Sequence, residues 1–177
     1  PHGINPKYFY PIEEGDKDYE EFTKFRNDFK TKNDVSFVIF WNNRNIRRKQ
    51  PGDVILSFRR FCDSLPKEKR RDVALLMHTQ PIDENGTDLI TVKNTICKNY
   101  KVIFSDKKLG TKELNFFYNL SDVTLNIASN EGFGLSGAES LMAGTPIINN
   151  VTGGLQDQCR FEDENGNWID FNETFTS

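Results

Sequence analysis

Short runs of apolar residues alternate along the chain with stripes of apolar residues at helical spacing. Tyr19, Phe22, Phe25 and Phe29 recur at intervals of three and four residues and predict a helix over residues 16–30. An almost unbroken apolar run follows, which is typical of a strand buried on both faces. The predicted strands are 35–41, 72–77, 101–105, 123–128 and 146–149, with helices from residue 51 and at 87–97, 112–120 and 134–143, and a short last strand near 168–171. Because strands and helices alternate, we predict an α/β fold with a parallel sheet covered by helices on both faces.

The composition is that of an ordinary globular domain and gives no indication of a nucleic acid partner or a membrane span. The chain has 177 residues, of which 36% are hydrophobic and 28% charged, so neither a disordered segment nor a membrane span is indicated. The formal net charge of -3 gives no reason to expect a nucleic acid partner. The three cysteines, at positions 62, 97 and 159, form no C-x-x-C pair and are odd in number. We therefore expect no disulfide framework and a reducing, cytoplasmic location.

The loop after the fourth predicted strand has the features of an anion site. Open parallel sheets bind ligands at the carboxyl ends of their strands, and this loop leads from such an end into a helix. Gly132 and Gly134 allow a ligand to approach the backbone, and the helix that follows offers free N–H groups and the positive end of its dipole. Glu131 and Glu139 would repel a phosphate. We therefore expect these carboxylates to accept hydrogen bonds from uncharged groups, for which vicinal hydroxyls are well suited.

The same stretch contains a match to the fingerprint of dinucleotide-binding domains. Residues 132–137 fit the pattern G-x-G-x-x-G, but the fingerprint follows the first strand of its fold, whereas here it follows the fourth. The fingerprint also needs an acidic residue at the end of the next strand. The next predicted strand ends in Asn149 and Asn150. An NAD-binding domain is therefore the weaker alternative.

Residues 131–148, with the sequence EGFGLSGAESLMAGTPII, resemble the signature of family 4 and related retaining glycosyltransferases of the two-Rossmann, or GT-B, class. In that signature two Glu residues are separated by seven others, and an Ala-x-Gly-x-Pro turn into a strand follows. Glu131 and Glu139 match the two Glu positions, and Gly144 and Pro146 match the turn. The chain is accordingly similar to the C-terminal, donor-binding domain of glycosyl transferases group 1 proteins.

The resemblance implies a function and a set of site residues. It implies a Rossmann-like parallel sheet that binds a UDP- or GDP-sugar, from which a hexose is transferred with retention of configuration and without a metal or other cofactor. Glu131 is expected to contact the transferred sugar and to take part in catalysis, and Glu139 to hold the ribose hydroxyls. The backbone of Phe133, Gly134 and Leu135 is expected to meet the sugar and the phosphates.

A basic loop follows the first predicted strand, and a bound diphosphate needs the counter-charge that this loop carries. Arg44 and Lys49 show the spacing at which the family places the arginine and lysine of its donor site. The resemblance implies that these two side chains bind the phosphates. Asn43 and Gln50 stand where the family has glycines. Arg48 matches no family position and is interpreted as a surface residue.

Two further loops are expected, on the resemblance, to touch the donor. Ser105 and Asp106 end the third predicted strand, where the family passes the nucleotide base along the backbone. Gly153 and Gly154 resemble a late family loop beside the donor sugar. No cluster of His and Cys with the spacing of a metal site accompanies these positions.

Residues 1–15, which are rich in Pro and turn-forming residues, resemble the linker between the two domains of these enzymes. On that interpretation residues 16–177 form the donor-binding domain, and the N-terminal acceptor domain is absent from the chain. We expect the chain alone to transfer no sugar, and any peripheral membrane association to arise through the absent domain. Two other functions stay open: a non-catalytic module that binds a nucleotide-sugar, and the NAD-binding domain.

Overall fold

A five-stranded parallel sheet lies at the centre of the computed structural model, which describes residues 3–159 and 161–169. Its strands are β1 (Phe37–Asn42), β2 (Val73–His78), β3 (Lys101–Ser105), β4 (Val123–Asn126) and β5 (Ile147–Asn149). The helices are α1 (Tyr19–Asn33), α2 (Pro51–Ser64), α3 (Leu89–Ile96), α4 (Thr111–Leu120), α5 (Leu135–Met142) and α6 (Leu155–Gln158). Two short strands, β6 (Phe161–Glu162) and β7 (Trp168–Ile169), pair antiparallel outside this sheet. The predicted parallel sheet is confirmed.

Both faces of the sheet are covered by helices, and β1 and β2 contribute to a core on each face because their alternate residues point to opposite sides. Along β1, Val38 and Phe40 enter a core that also holds aromatic residues of α1 and α4. Trp41 enters a second core on the other face, which α2 and α3 close. Leu76 and Leu75 of β2 divide between the two cores in the same way. The predicted helices on both faces are therefore confirmed, and burial on both sides accounts for the continuous apolar runs.

The strand order is β3-β2-β1-β4-β5, so the connections reverse direction at β1. β2 pairs with one edge of β1, and β4 pairs with the other. At such a switch point the loops that leave the two central strands diverge and open a crevice at the carboxyl ends. Here these are the loops after β1 and after β4, which carry the basic residues and the Gly-rich stretch.

The segment before α1 packs tightly against α4. Phe9 and Ile12 are buried in the core on that face of the sheet. The side chain of Asn115 accepts a hydrogen bond from the Tyr10 N–H and donates one to its carbonyl, at 3.3 and 3.2 Å. Asn119 donates to the same carbonyl at 3.0 Å and accepts from the Ile12 N–H at 2.8 Å. Residues 9–12, part of the segment predicted as an interdomain linker, are thus held along α4. Residues 1 and 2 of that segment lie outside the described residues.

Differences from the predicted elements occur mainly at element ends. α1 begins at Tyr19 rather than residue 16, because residues 16–19 form a turn closed by the Tyr19 N–H on the Asp16 carbonyl. α6 and β6 were not predicted, since four and two residues are too few to show a periodic pattern. The predicted strand at 168–171 is present at Trp168–Ile169, and its last two residues lie outside the described ones. Within the described part of the chain, no helix has the length and apolar character needed to cross a membrane.

Candidate functional site

A cavity of about 400 Å³ opens at the switch point between β1 and β4. Its walls come from both loops that leave these strands and from the start of α5. They include Arg48 and Lys49, residues 131–136, and Glu139. The cavity therefore brings basic side chains, two carboxylates and a helix N-terminus together in one place.

Glu131 lies in this cavity inside a cage of hydrogen-bond donors. Its carboxylate is buried, with 4% of the side chain exposed, and it pairs with the largely buried ammonium group of Lys49. Arg48 donates to the other carboxylate oxygen at 3.2 Å and to the backbone carbonyl of Asn130 at 2.9 Å. The Asn126 amide, at the end of β4, donates to the carboxylate at 3.2 Å. The loop after β1 and the end of β4 thus together hold Glu131 in a single orientation.

Burial and pairing act in opposite directions on these charges. Burial disfavours the charged carboxylate of Glu131, but the hydrogen bonds from Lys49 and Asn126 outweigh it and lower the pKa below its ordinary value. Burial lowers the pKa of the Lys49 ammonium group, and the facing carboxylate opposes that change. Glu131 is therefore held as an anion with a cation beside it.

The N-terminus of α5 faces the same cavity. Gly134 precedes the helix with φ +79°, a left-handed conformation that favours glycine. Among the described residues, no side chain donates or accepts a capping hydrogen bond at this helix start. The first N–H groups of the helix, at Leu135 and Ser136, belong to residues that line the cavity. Uncapped N–H groups and the helix dipole make this wall attractive to an anion.

The loop that presents Glu131 is supported from behind by Gly153 and Gly154. The Gly154 N–H donates to the Glu131 carbonyl at 3.0 Å. A Cβ atom at Gly154 would lie 2.0 Å from the carbonyl oxygen of Gly132, so a side chain cannot be placed there without moving the loop. The two glycines therefore fix the backbone beneath the cavity rather than forming its wall.

Glu139 lies one turn further along α5 and also borders the cavity. Its carboxylate accepts a hydrogen bond of 2.7 Å from the hydroxyl of Tyr118, a fully buried residue of α4. Burial raises the pKa of Glu139, and the hydrogen bond from Tyr118 opposes that rise. The side chain is thus anchored at one oxygen while it remains at the cavity wall.

A second cavity of about 410 Å³ adjoins the first, and Asn42 and Asn43 line both. Ser105 and Asp106, at the end of β3, line this second cavity together with His78 at the end of β2. The His78 ring nitrogen Nδ1 lies 3.0 Å from the Ser105 carbonyl oxygen. Burial lowers the pKa of this imidazole.

Arg44 lies in the second cavity rather than beside Lys49. Its guanidinium group makes two hydrogen bonds to the Asp83 carboxylate, of 2.9 and 3.2 Å. Asp83 belongs to the loop after β2, so this ion pair ties that loop to the loop after β1. The two cations that the sequence grouped for one diphosphate therefore face neighbouring cavities.

Comparison with known proteins identifies the family. A family description named glycosyl transferases group 1 matches residues 21–176. The chain belongs to this family. It is a glycosyltransferase domain, and its sequence is 30% identical over 108 residues to a trehalose synthase of Pyrococcus horikoshii. That match covers 60% of the chain but 26% of the relative, so the chain spans about a quarter of the length of that enzyme.

Solved structures share the fold of this glycosyltransferase domain. The C-terminal domain of the group 1 protein LpcC from Francisella tularensis superposes with a TM-score of 0.64 at 18% identity, covering 95% of the chain and 80% of the compared domain. Anabaena HepE in complex with UDP-glucose gives a TM-score of 0.68 at 15% identity, covering 90% and 40%. The chain accordingly has the Rossmann-like C-terminal domain fold of GT-B glycosyltransferases.

The glycosyltransferase domain assembles most of its predicted site residues in the first cavity. These are Lys49, Glu131, Phe133, Gly134, Leu135 and Glu139. Arg44, Ser105 and Asp106 lie in the second cavity, and Gly153 and Gly154 lie behind the loop.

Sequence reasoning missed Arg48, whose interpretation as a surface residue overlooked its contact with Glu131. The available signal was its position beside Lys49 in a loop at a strand's carboxyl end. Sequence reasoning also missed Tyr118 and Asn126, whose roles depend on contacts between distant elements. In residues 3–159 and 161–169, no three His, Cys, Asp or Glu side chains converge as metal ligands would.

Proposed function

We propose that the chain is the donor-binding domain of a retaining glycosyltransferase that transfers a hexose from a UDP- or GDP-sugar. Membership of the glycosyl transferases group 1 family supports sugar transfer as the type of reaction. The observation that carries the donor assignment is the convergence of Lys49, Glu131, Glu139 and the α5 N-terminus on one cavity. The UDP-glucose complex of HepE, a protein of similar fold, supports this class of donor.

On this proposal the diphosphate sits between Lys49 and the start of α5. The N–H groups of Leu135 and Ser136 would donate to phosphate oxygens, and the helix dipole adds to the attraction. Lys49 would then be shared between Glu131 and the phosphate. As the bond to the sugar breaks, negative charge grows on the leaving diphosphate, and cations placed in advance stabilise it most at that moment.

The two carboxylates take the uncharged parts of the donor. Glu131 would accept from hydroxyls of the transferred sugar and, beside the anomeric carbon, would favour the positive charge that develops there. Glu139 would accept from the ribose hydroxyls. The phosphates and sugar would also meet the backbone of Phe133 and Gly134, while Gly153 and Gly154 hold that backbone in place from behind.

The nucleotide base is assigned to the second cavity. Ser105 and Asp106 line it, and it adjoins the diphosphate cavity through Asn42 and Asn43. Arg44 would reach the phosphate or ribose from that side after exchanging its partner Asp83, since most of its side chain is exposed. The base would therefore pass across the carboxyl ends of β1, β2 and β3.

A second domain completes the enzyme on this proposal. The chain matches 26% of the Pyrococcus horikoshii trehalose synthase and 40% of HepE. We assign acceptor binding to an N-terminal domain of the same protein, joined through residues 1–15, and expect the reaction to need no metal. Since orienting two reactants can supply up to roughly 7–11 kcal/mol, a single domain should leave transfer undetectable.

Calorimetry on the chain tests donor binding directly. UDP-glucose, GDP-glucose, UDP, GDP and NAD are titrated separately, and we expect a UDP- or GDP-compound to bind and NAD to give no signal. Glu139→Gln should weaken binding of the ribonucleotide more than that of its 2′-deoxy analogue, because only the former offers both hydroxyls. If NAD is the one ligand that binds, the donor assignment is wrong. If Glu139→Gln weakens binding of the ribonucleotide and of its 2′-deoxy analogue equally, the assignment of Glu139 to the ribose is wrong.

Activity assays separate an enzyme from a non-catalytic module. A labelled donor is incubated with the full-length protein and, in parallel, with the isolated chain. Transfer by the full-length protein that is lost in its Glu131→Gln variant supports the proposal, whereas donor binding without any transfer indicates the module. Transfer by the isolated chain at the full-length rate would overturn the two-domain assignment.

A further inference from the structure

Tyr118 connects the end of β1 to Glu139 through two consecutive hydrogen bonds. The Asn42 side-chain amide donates to the Tyr118 hydroxyl oxygen at 2.8 Å, and that hydroxyl donates to the Glu139 oxygen Oε2 at 2.7 Å. Tyr118 has no exposed surface, whereas Asn42 and Glu139 border the first cavity. The phenol group of a core residue is thus bonded to two side chains of the cavity wall.

The direction of these bonds follows from the groups involved. An ionised carboxylate only accepts hydrogen bonds, so the single proton of the Tyr118 hydroxyl points to Glu139. The hydroxyl oxygen then accepts from the Asn42 NH₂ group, which only donates. Oε2 of Glu139 is therefore held in place, and in the described part of the chain no donor contacts the other oxygen, Oε1.

We propose that Tyr118 is a positioning residue for Glu139, which holds the carboxylate oriented and ionised so that Oε1 accepts from the ribose of the donor. This role rests on the proposed function, which assigns Glu139 to the ribose. The aromatic ring is fixed independently of the hydroxyl, since it packs edge-on against Phe40 with ring centroids 5.1 Å apart. The phenol group is thus a rigid support rather than a mobile side chain.

Electrostatics support the same role. Burial favours the protonated form of Glu139, and the Tyr118 hydrogen bond is the interaction that opposes it. Burial and the facing carboxylate also raise the pKa of Tyr118 well above its ordinary value, so the phenol keeps its proton. The other charged groups of the cavity, Arg48, Lys49 and Glu131, are engaged with one another across it. Removing the hydroxyl should therefore raise the pKa of Glu139.

Tyr118→Phe removes this hydroxyl and keeps the ring. Its control is Tyr10→Phe, which also removes a hydroxyl bonded to a carboxylate, that of Asp18 at 2.5 Å, away from the cavity. Carboxylate NMR of the ligand-free chain should show a higher pKa for Glu139 in Tyr118→Phe and no change in the control. This measurement needs no ligand, and thermal unfolding of each variant verifies that it is folded.

UDP and GDP are then titrated by calorimetry from mildly acidic to neutral pH. At neutral pH Tyr118→Phe should bind the preferred diphosphate about tenfold more weakly. Its affinity should also begin to fall at a higher pH than that of wild type, because Glu139 takes up its proton earlier. Adding the substitution to Glu139→Gln should cause no further loss.

The outcomes separate this inference from the proposed function. An unchanged Glu139 pKa in a folded Tyr118→Phe variant, or an equal loss of affinity with and without Glu139→Gln, overturns the positioning role while donor binding stands. Failure of wild type to bind either nucleotide overturns both. If the pKa of Glu139 is raised in Tyr118→Phe but no nucleotide binds, the Tyr118–Glu139 hydrogen bond is supported, and its role in positioning Glu139 for the ribose is overturned.

Discussion

Replacing Lys49 with Met removes the buried cation that faces Glu131 and keeps an unbranched side chain. The carboxylate would retain Arg48 and Asn126 as partners but would stay buried, with 4% of its side chain exposed. Removing one partner of a buried ion pair costs about 3–5 kcal/mol, and the two remaining donors place this loss at about 3 kcal/mol. For a domain of this size, that loss lowers the unfolding midpoint by about 6–12 °C.

Thermal and urea unfolding of wild type, Lys49→Met, Glu131→Gln and the double variant measure the effect. Because the double variant leaves no uncompensated buried charge, we expect it to be more stable than Lys49→Met alone. Lys24→Met is the control, since its ion pair with Asp28 lies on the exposed surface of α1 and its loss should leave the midpoint unchanged. Strictly additive losses in the double variant would refute the assigned coupling.

Lys49→Met should also change the pH dependence of the free energy of unfolding. The folded-state pKa of Glu131 is below its ordinary value of 4.5, so the folded chain binds this proton less readily than the unfolded chain. Its contribution to stability is therefore complete above pH 4.5 and is lost as the pH falls through the lower folded-state pKa. Lys49→Met should raise that pKa toward its ordinary value. The free energy of unfolding should then change less between neutral and acid pH than it does in wild type. Denaturant unfolding at a series of pH values checks this.

Three further predictions concern the site and its supports. Arg48→Ala should weaken binding of UDP or GDP about tenfold in calorimetry, because Glu131 loses a donor and the cavity a cation, whereas Arg47→Ala, in the same turn, should bind like wild type. Gly154→Ala should abolish this binding, because its Cβ atom would displace the backbone 2.0 Å away, while Gly52→Ala, with open space around it, should bind normally. His78→Gln should make stability less dependent on pH below about 6.5, because burial lowers the pKa of His78 and the unfolded chain alone takes up its proton there; unchanged pH dependence in urea unfolding would contradict this.

The positions of the five sheet strands could be predicted because burial on both faces leaves continuous apolar runs. Their order could not, since no pattern within a strand tells which neighbour it pairs with. The Gly-rich loop and its two glutamates could be predicted as a candidate site because glycine, carboxylate and helix start occur together between residues 131 and 139. α6 and β6 were not predicted because four and two residues are too few to show a periodic pattern.

Side-chain partners were the part of the site that the sequence could not supply. Arg44 and Lys49 are five residues apart, but the short 3₁₀ turn at Arg47–Lys49 sends the lysine inward while Arg44 meets Asp83. The choice depends on that turn and on a carboxylate far along the chain. Tyr118 was visible as an aromatic residue of α4, yet nothing local reveals which group its hydroxyl meets.

The four hydrogen bonds that hold Tyr10 and Ile12 to α4 have a mechanical consequence. They clamp one side of this helix, and the Phe9 ring packs edge-on against Tyr118 with centroids 5.9 Å apart. The segment before α1 therefore contacts α4, and α4 in turn contacts the carboxylate of Glu139 through Tyr118. A force on the residues before Phe9 should either break these hydrogen bonds or shift α4, and a shift of α4 would move the Tyr118 phenol relative to Glu139. We therefore expect a displacement of the segment before α1 to reach the cavity wall through α4.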